Sequence, residues 1–380
     1  MKLVSMRKRT VVLLVLFFAC LLLFQSCAKA SNHQAADVHQ LCLAFVEKKM
    51  TGSGGIFTNY LSLKESSEVA VGHSVLSESQ GLMLSYYVRA QKPGKAALTL
   101  AFVKEHLDTG KIISYRLDED GRRYQVNASV DDLRLIDALM EASFTFDKPE
   151  YMNQANDYAK RLYDTNVQNG ILMDLYDQQY NHTNDIVTLC YADLYTMQEL
   201  AQHDSRWQAV HDKMKVLVAG GYISDAFPLY QTRYNATKKT YETERVLMVE
   251  ALLTVYHLSR VESCPQPSIE YLKKLLLEGK LYAVYDQEGN VKDETESTAI
   301  YALSALIGAS EDDPEMYWTS IERMLAFQVT DPQSPVYGAF ANENTLAAYS
   351  FDNLLALLAL QASQQFESPQ SQSTKGDIAQ

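Results

Sequence analysis

The sequence contains few cysteines, and those it has form no recognisable framework. Two of the five lie in the first thirty residues, and the others, Cys42, Cys190 and Cys264, are widely separated. An odd number of scattered cysteines predicts neither a set of disulfides nor a zinc site. The chain also lacks a glycine-rich phosphate loop, a paired-histidine metal motif and a serine nucleophile elbow. We therefore expect the protein to bind no metal ion and no cofactor.

Basic residues are in the minority. The chain has 34 lysines and arginines against 47 aspartates and glutamates, and its net charge is -13. This excess of acidic groups argues against nucleic acid as a partner and against attraction to anionic lipid. Tyrosine is abundant, with 24 residues. Tyrosine-rich clefts are typical of sugar-binding sites, because the rings pack against the apolar faces of sugars.

Only the N-terminus carries a long uninterrupted apolar run, from Val11 to Phe24, and four basic residues precede it. The run is shorter than the about 20 residues of a membrane-spanning helix, and it has the pattern of an export signal. Residues 23–27 are similar to a lipoprotein box ending at Cys27, and residues 28–30 fit ordinary signal cleavage. We predict that residues 1–30 are a signal or anchor, with lipidation of Cys27, an uncleaved anchor and full secretion all left open. The protein is expected outside the cytoplasm, at the cell surface, touching the membrane only through this anchor.

The rest of the chain is predicted to be all-α, because no segment alternates polar and apolar residues with period two. Helical segments with one polar face alternate with segments that are apolar on nearly every side. The apolar segments are 186–194, 246–258, 299–307 and 354–360. Half-exposed helices alternating with buried ones predict two concentric rings, an (α/α)6 toroid. The twelve predicted helices lie near 35–50, 77–91, 94–108, 129–146, 149–166, 184–201, 205–219, 241–259, 267–279, 295–309, 313–328 and 345–363.

We predict a single domain over residues 31–366, followed by a polar tail over 367–380 whose composition is typical of disorder. Within the domain, several predicted buried helices begin with acidic or amide side chains. These starts lie at 77–78, 129–132, 184–185, 242–244 and 294–296. Because the inner helices of a toroid all begin at the same end, these side chains are expected to surround one mouth. Each of them can also be an ordinary helix cap, since acidic residues favour helix N-termini.

Two motifs resemble those of glycoside hydrolase family 8. Residues 77–84, Ser-Glu-Ser-Gln-Gly-Leu-Met-Leu, resemble the family's Ser-Glu-Gly-Gln-Gly-Tyr-Gly-Met motif. Residues 127–134, Asn-Ala-Ser-Val-Asp-Asp-Leu-Arg, resemble its Asn-Ala-Ser-Asp-Ala-Asp-Leu signature. Weaker similarity around 184–207 and 349–357 extends the resemblance over most of the mature chain, and the family's fold is the (α/α)6 toroid. The sequence looks most like the membrane-anchored exopolysaccharide hydrolases of Gram-positive bacteria.

The resemblance implies a role for each residue that matches these motifs. Glu78 matches the family's general acid. In the second motif, the first aspartate of the family binds the sugar at the cleavage point, and Val130 occupies that position here. Asp132 matches the second aspartate, and Asp131 is the alternative sugar ligand after a shift of one residue.

The family's usual base is an aspartate three residues before an arginine at the start of a buried helix. The matching residue is Glu242, three residues before Arg245, and Glu244 is the alternative. A glutamate is one methylene longer than an aspartate, so this match requires a retracted backbone. Tyr191 and Tyr349 are further candidates for binding substrate in the cleft.

Glycosidic cleavage requires two carboxyl groups, one to protonate the leaving oxygen and one to activate water or attack the sugar. The sequence therefore predicts an inverting endo-glycoside hydrolase that cleaves a bacterial exopolysaccharide at the cell surface. The polymer is the expected partner, together with the machinery that synthesises it. Two alternatives stay open: a catalytically degenerate polysaccharide-binding lipoprotein that assists polymer export, and a polysaccharide lyase. An acidic mouth would repel the uronate of a lyase substrate and favours neutral or cationic polymers.

Overall fold

A computed structural model describes residues 38–63 and 71–366, so the predicted signal (1–30) and polar tail (367–380) lie outside the described residues. Twelve α-helices make up about half of the described chain. They are α1 (38–49), α2 (Ser77–Arg89), α3 (Pro93–Phe102, prolonged by a π-helical turn, Val103–Leu107), α4 (Ser129–Thr145), α5 (Pro149–Asn166), α6 (Leu194–His203), α7 (Arg206–Gly220), α8 (Met248–Ser259), α9 (Gln266–Leu277), α10 (Thr298–Ser310), α11 (Pro314–Leu325) and α12 (Ser350–Gln361). Within residues 38–63 and 71–366, no helix is both long enough and apolar enough to span a bilayer.

The even-numbered helices form a closed inner ring. Helix α2 contacts α4 and α12, α10 contacts α8 and α12, and α6 contacts α4 and α8. Helices α3, α5, α7 and α11 pack on the outside of α2, α4, α6 and α10. Helix α10 is buried from Thr298 to Gly308, and each fully buried leucine, such as Leu303, contributes about 2 kcal/mol. Helix α5, in the outer layer, is buried along one face only. A closed ring of buried helices inside a layer of half-exposed ones confirms the predicted (α/α)6 toroid.

Short connections lead from inner to outer helices at one end of the toroid. Helices α2, α4 and α10 are each followed by a residue with positive φ, and a proline two residues later begins the next helix. These pairs are Gln91 and Pro93, Asp147 and Pro149, and Asp312 and Pro314. A residue with positive φ ends an α-helix, and proline fits the first helical turn. The long connections, from outer to inner helices, therefore all lie at the opposite end.

Every strand of the described chain has two or three residues and lies in one of these long connections. The strands are β1 (Thr51–Gly52), β2 (Gly55–Ile56), β3 (Val75–Leu76), β4 (Arg116–Leu117), β5 (Val167–Gln168), β6 (Ile171–Leu172), β7 (Tyr176–Asp177), β8 (His182–Thr183), β9 (Ile186–Thr188), β10 (Arg233–Asn235), β11 (Thr240–Glu242), β12 (Val246–Leu247), β13 (Val284–Tyr285) and β14 (Val291–Asp293). Strands β9, β10 and β11 form an antiparallel sheet in the order β11-β10-β9, and β12, β13 and β14 form a second. The remaining strands pair as hairpins or, for β3 and β4, across two connections.

Two predicted helices begin later than the sequence indicated. The prediction of a helix over 184–201 was wrong at its start, because residues 186–188 form β9, residues 189–191 form a 3₁₀ turn, and α6 begins at Leu194. Similarly, the helix predicted over 241–259 begins at Met248, after β11 and β12. The first segment opens with Ile186, Val187 and Thr188, whose β-branched side chains favour an extended backbone that pairs with a neighbouring strand. Here they pair with β10.

Candidate active site

The first turns of the inner helices meet at the end of the toroid that carries the long connections. Ser77 begins α2, and its Oγ donates a hydrogen bond of 2.8 Å to Oδ2 of Asp131 in the first turn of α4. Asp352, in the first turn of α12, accepts a hydrogen bond of 2.8 Å from the backbone N–H of Ala299 at the start of α10. A third contact, between the hydroxyls of Ser79 in α2 and Ser350 in α12 at 2.8 Å, joins the two pairs, so the starts of four inner helices meet at one mouth.

Glu78 lies in the first turn of α2, and its half-buried side chain forms no hydrogen bond with the described residues. Burial and the negative charge of Asp131 raise the pKa of Glu78 to about 7. Arg134 opposes this increase, and Asp352 adds to it. A carboxyl that keeps its proton up to near-neutral pH can donate that proton during a reaction.

Asp131 is held firmly beside Glu78. Its second oxygen, Oδ1, accepts a hydrogen bond of 2.7 Å from Nη1 of Arg134, so both carboxylate oxygens have partners. Burial raises the pKa of Asp131, while Arg134 and Ser77 act in the opposite direction. The side chain of Arg134 packs against Gly81, where a Cβ would lie only 3.2 Å from its Cγ and Cδ, so a larger residue would crowd the arginine. The glycine of the first motif thus serves the ion pair next to Glu78.

Asp132 faces a different part of the molecule. Its Oδ2 accepts a hydrogen bond of 2.6 Å from Nδ2 of Asn127, and Asn127 in turn exchanges hydrogen bonds with Asn166 at the end of α5. Burial raises the pKa of Asp132 well above its usual range. These contacts join α4 to α5, and a role for Asp132 in binding sugar stays a prediction.

Two further carboxyl groups, those of Asp174 and Glu250, lie at the mouth, and neither was predicted from the sequence. Asp174, between β6 and β7, accepts hydrogen bonds from the backbone N–H (2.6 Å) and Oγ1 (2.7 Å) of Thr188 in β9. Burial raises the pKa of Asp174 to about 6. Glu250, in the first turn of α8, lies 3.7 Å from Nη2 of Arg233, and burial raises its pKa as well. Glu250 could have been identified from the sequence as a candidate site residue, since it is the lone carboxylate in an otherwise apolar helix and acidic residues are seldom buried without a reason.

Both candidate tyrosines lie near acidic groups of the mouth. The pKa of Tyr191 is raised by burial and then by the charge of Asp131, with smaller contributions from Cys190, Asp174 and Glu78, so its ring lies near these acidic groups. Tyr349 is 47% exposed and lines a cleft of about 550 Å³, together with Asp352 and Glu296. An exposed ring beside a cleft can stack on a sugar.

Asp352 lies in the segment 349–357, which resembles part of family 8, but the sequence did not identify it as a candidate site residue. Its Oδ1 bonds to the backbone N–H of Ala299, and Oδ2 accepts no hydrogen bond from the described residues. Burial raises the pKa of Asp352 to about 6. The charge of Asp352 also raises the pKa of Glu78, so the two carboxyls lie near each other although no hydrogen bond joins them.

Glu242 does not begin a buried helix, and that part of the prediction was wrong. It ends β11, opposite Arg233 of β10, and α8 begins six residues later. Its exposed carboxylate lies 3.0 Å from Nζ of Lys238. The alternative, Glu244, is also exposed. The assignment of either glutamate as the base stays a prediction.

Among the described residues, no three histidine, cysteine, aspartate or glutamate side chains are grouped so that they could hold a metal ion. The chemistry that the mouth supports is proton transfer by carboxyl groups. Glu78 supplies a protonated carboxyl near neutral pH, and ionisable carboxyls surround it.

Comparisons with known proteins agree with this geometry. The chain is similar to an α-amylase from Clostridium perfringens, with 33% sequence identity, a TM-score of 0.80 and coverage of 86% of this chain and 97% of that one. It also superposes on endoglucanase Cel10, a family 8 glycosyl hydrolase from Klebsiella pneumoniae, with 14% identity, a TM-score of 0.60 and coverage of 86% and 100%. The chain belongs to the glycoside hydrolases and has the family 8 fold. Its enzyme class is therefore that of the glycosidases, which hydrolyse the bond between two sugars.

A sequence relative extends over almost the whole hydrolase. The putative lipoprotein YdaJ of Bacillus subtilis is 26% identical over 372 residues, which are 93% of this chain and 97% of the relative. No family model matches the hydrolase.

Proposed function

We propose that the protein is an inverting endo-glycoside hydrolase that cleaves an exopolysaccharide at the cell surface, with Glu78 as its general acid. One observation carries the proposal: Glu78 has a free carboxyl with a pKa of about 7, at the mouth of a family 8 toroid. A general acid must hold its proton until the leaving oxygen needs it. The neighbouring charge of Asp131, fixed by Ser77 and Arg134, supports that state.

The residues proposed to contact the substrate surround the mouth of the toroid. Tyr349, exposed on the cleft, is proposed to stack on a sugar ring, and Tyr191 is proposed to line the cleavage point near Asp131 and Glu78. Asp131 and Asp132 were predicted to bind sugar. The contacts of Asp131 with α2 support a role in positioning Glu78, and those of Asp132 support a role in joining two helices. A cleft that is open to solvent suits cleavage within a polymer.

The proposed location rests on the N-terminal sequence and on the relative. An export signal ends near Cys27, and the relative from Bacillus subtilis is named a putative lipoprotein. An enzyme tethered in this way would act on polymer at the outer surface, next to the machinery that synthesises it. The acidic mouth favours a neutral or cationic polymer, because like charges repel.

The test is hydrolysis by the purified full chain of the surface polysaccharide of the host. We expect release of reducing ends with a rapid fall in viscosity, which is typical of cleavage within the chain. Glu78→Gln should reduce the rate by about 10³-fold, the scale of general-acid catalysis. The matched control is Glu270→Gln on outer helix α9, where the side chain is exposed and the same exchange should leave the rate unchanged. Proton NMR of the first product would show whether the anomeric configuration is inverted.

An α-1,4-glucan is a second candidate substrate, because the relative that is 33% identical is described as an α-amylase. Soluble starch and the surface polysaccharide should therefore be assayed in parallel. Faster hydrolysis of starch would favour the second candidate and leave the role of Glu78 intact. Binding of polysaccharide without hydrolysis of any polymer would instead support a polysaccharide-binding protein that assists export.

A further inference from the structure

We propose that Asp352 is the catalytic base that activates the attacking water, in place of Glu242. This inference rests on the proposed inverting hydrolysis and assigns the second carboxyl that such a reaction requires. The general acid and the base of an inverting glycosidase stand about 6.5–9.5 Å apart, which leaves room for a water molecule between the base and the sugar. A base therefore needs to lie near Glu78, to face the cleft and to keep one oxygen free.

Most carboxylates of the mouth fail at least one of these requirements. Asp131 lies next to Glu78, but Ser77 and Arg134 occupy both of its oxygens. Both oxygens of Asp174 accept hydrogen bonds from Thr188. Glu250 keeps Oε2 without a partner among the described residues, but its Oε1 lies 3.7 Å from Nη2 of Arg233, and a nearby cation makes a carboxylate a weaker base.

Glu242 fails for a different reason. Its carboxylate is exposed and paired with Lys238, which lies 3.0 Å away. A catalytic base must be held in a fixed orientation beside the reacting carbon, and an exposed surface ion pair of this kind gives little such constraint.

Asp352 meets all three requirements. It lies near Glu78, because α12 packs against α2 and the hydroxyls of Ser350 and Ser79, at the starts of these two helices, lie 2.8 Å apart. It lines the cleft of about 550 Å³ beside the exposed ring of Tyr349. The backbone N–H of Ala299 fixes Oδ1 at 2.8 Å, and Oδ2 is left without a partner among the described residues. The carboxylate is thus oriented by the start of α10 while one oxygen stays available to water.

Asp352 and Glu78 together account for every proton transferred in the hydrolysis. Oδ2 of Asp352 takes a proton from water as the water oxygen bonds to the anomeric carbon. The bond from that carbon to the glycosidic oxygen breaks, and Glu78 gives its proton to the leaving oxygen. The products are a hemiacetal of inverted configuration and a chain with a free hydroxyl. Exchange with solvent then returns the proton from Asp352 and restores the proton of Glu78.

The test compares Asp352→Asn with Glu78→Gln on two substrates. One is the polymer that the wild type degrades, and the other is a fluoride glycoside of an oligosaccharide from that polymer. Fluoride leaves without protonation, so a variant without the acid recovers on this substrate, whereas a variant without the base does not. We expect Asp352→Asn to lose about 10³-fold on both substrates. Glu78→Gln should lose as much on the polymer and return to within about tenfold of the wild type on the fluoride.

If Asp352 had a purely structural role, its asparagine and glutamate variants would rank differently in activity than if it were the base. Asparagine keeps the acceptor for the N–H of Ala299 but cannot take a proton, whereas Asp352→Glu keeps a base and displaces it by one methylene. We expect the glutamate variant to be more active than the asparagine variant, and a helix-capping role predicts the reverse. Retention of more than a tenth of the activity by Asp352→Asn, or its recovery on the fluoride, would overturn the inference. Wild-type protein inactive on every polymer would instead contradict the proposed function itself.

Discussion

Replacing Asp131 with asparagine should make Glu78 a stronger acid and move the pH dependence of hydrolysis. The carboxylate of Asp131 is fixed by Ser77 and Arg134 beside Glu78. The asparagine amide has nearly the same shape and keeps an oxygen for Arg134, so the main change is the loss of one negative charge. Without that charge, ionisation of Glu78 becomes easier, and its pKa falls.

The size of this change follows from the groups around Glu78. The increase in its pKa from 4.5 to about 7 corresponds to about 3.4 kcal/mol, at about 1.36 kcal/mol per pH unit. Burial contributes most, and the substitution leaves it unchanged. Removal of the Asp131 charge, with Arg134 left unneutralised, should lower the pKa by about one pH unit, or about 1.4 kcal/mol. The protonated fraction of Glu78 at pH 7 would then fall about fivefold, with no change at pH 5.

The assay is kcat/KM as a function of pH, because its basic limb reports the acid of the free enzyme. Asp132→Asn is the matched control, since its carboxyl contacts Asn127 and does not contribute to the pKa of Glu78. The basic limb should move to lower pH in Asp131→Asn and stay in place in Asp132→Asn, whatever the two variants do to the maximal rate. An unmoved limb in Asp131→Asn, or equal movement in both variants, would refute the reasoning.

Two further predictions concern stability. Glu78→Gln should be more stable than the wild type at pH 8 but not at pH 4. The folded state holds the proton of Glu78 more tightly than the unfolded state, so wild-type stability falls as pH rises from 4.5 through about 7, by at most about 3.4 kcal/mol. Thermal denaturation across this range measures the difference, and a constant difference would contradict it. Arg260→Met should cost about 3–5 kcal/mol in urea denaturation, because it leaves buried carboxylates without their cation; Arg260 lies 2.9 Å from Asp137 and 3.1 Å from Asp193. Arg206→Met, at an exposed ion pair, should cost less than about 1 kcal/mol, and equal losses would argue against this role.

The alternation of buried and half-exposed helices was enough to predict the toroid. A helix such as α10, with apolar side chains on every face, must be surrounded by protein, and this requirement can be read from local sequence. The strands were not predictable in the same way. Each has two or three residues, too few for alternating polarity to appear, and their pairing depends on which connections meet over the mouth.

The site was predictable where chemistry and helix position coincide. Glu78 belongs to a distinctive motif at the start of a buried helix, and its sequence alone identified it. Asp352 is 274 positions further along the chain, and its closeness to Glu78 depends on the closing contact of α12 with α2. Asp174 contacts Thr188 of β9, and Glu250 lies near Arg233 of β10, which pairs with β9; β9 falls in a segment that was predicted to be helical, whereas Asp174 and β10 fall between the predicted helices. Long-range contacts of this kind leave no local pattern.

The change from aspartate to valine at position 130 gains a physical meaning from the structure. Val130 lines a small internal cavity of about 60 Å³ on the axis of the toroid, together with Arg134 and Asp137. Neighbouring residues of a helix point about 100° apart, and the side chain of Asp131 reaches the start of α2, where it accepts a hydrogen bond from Ser77. In family 8, the aspartate at the Val130 position is expected to hold the sugar. Here the carboxylate nearest to Glu78 contacts the acid's own helix, and its charge acts on the pKa of Glu78. Sugar binding by Asp131 or Asp132 stays a prediction, and we propose that the exposed ring of Tyr349, next to Asp352 in the cleft, holds the sugar as well.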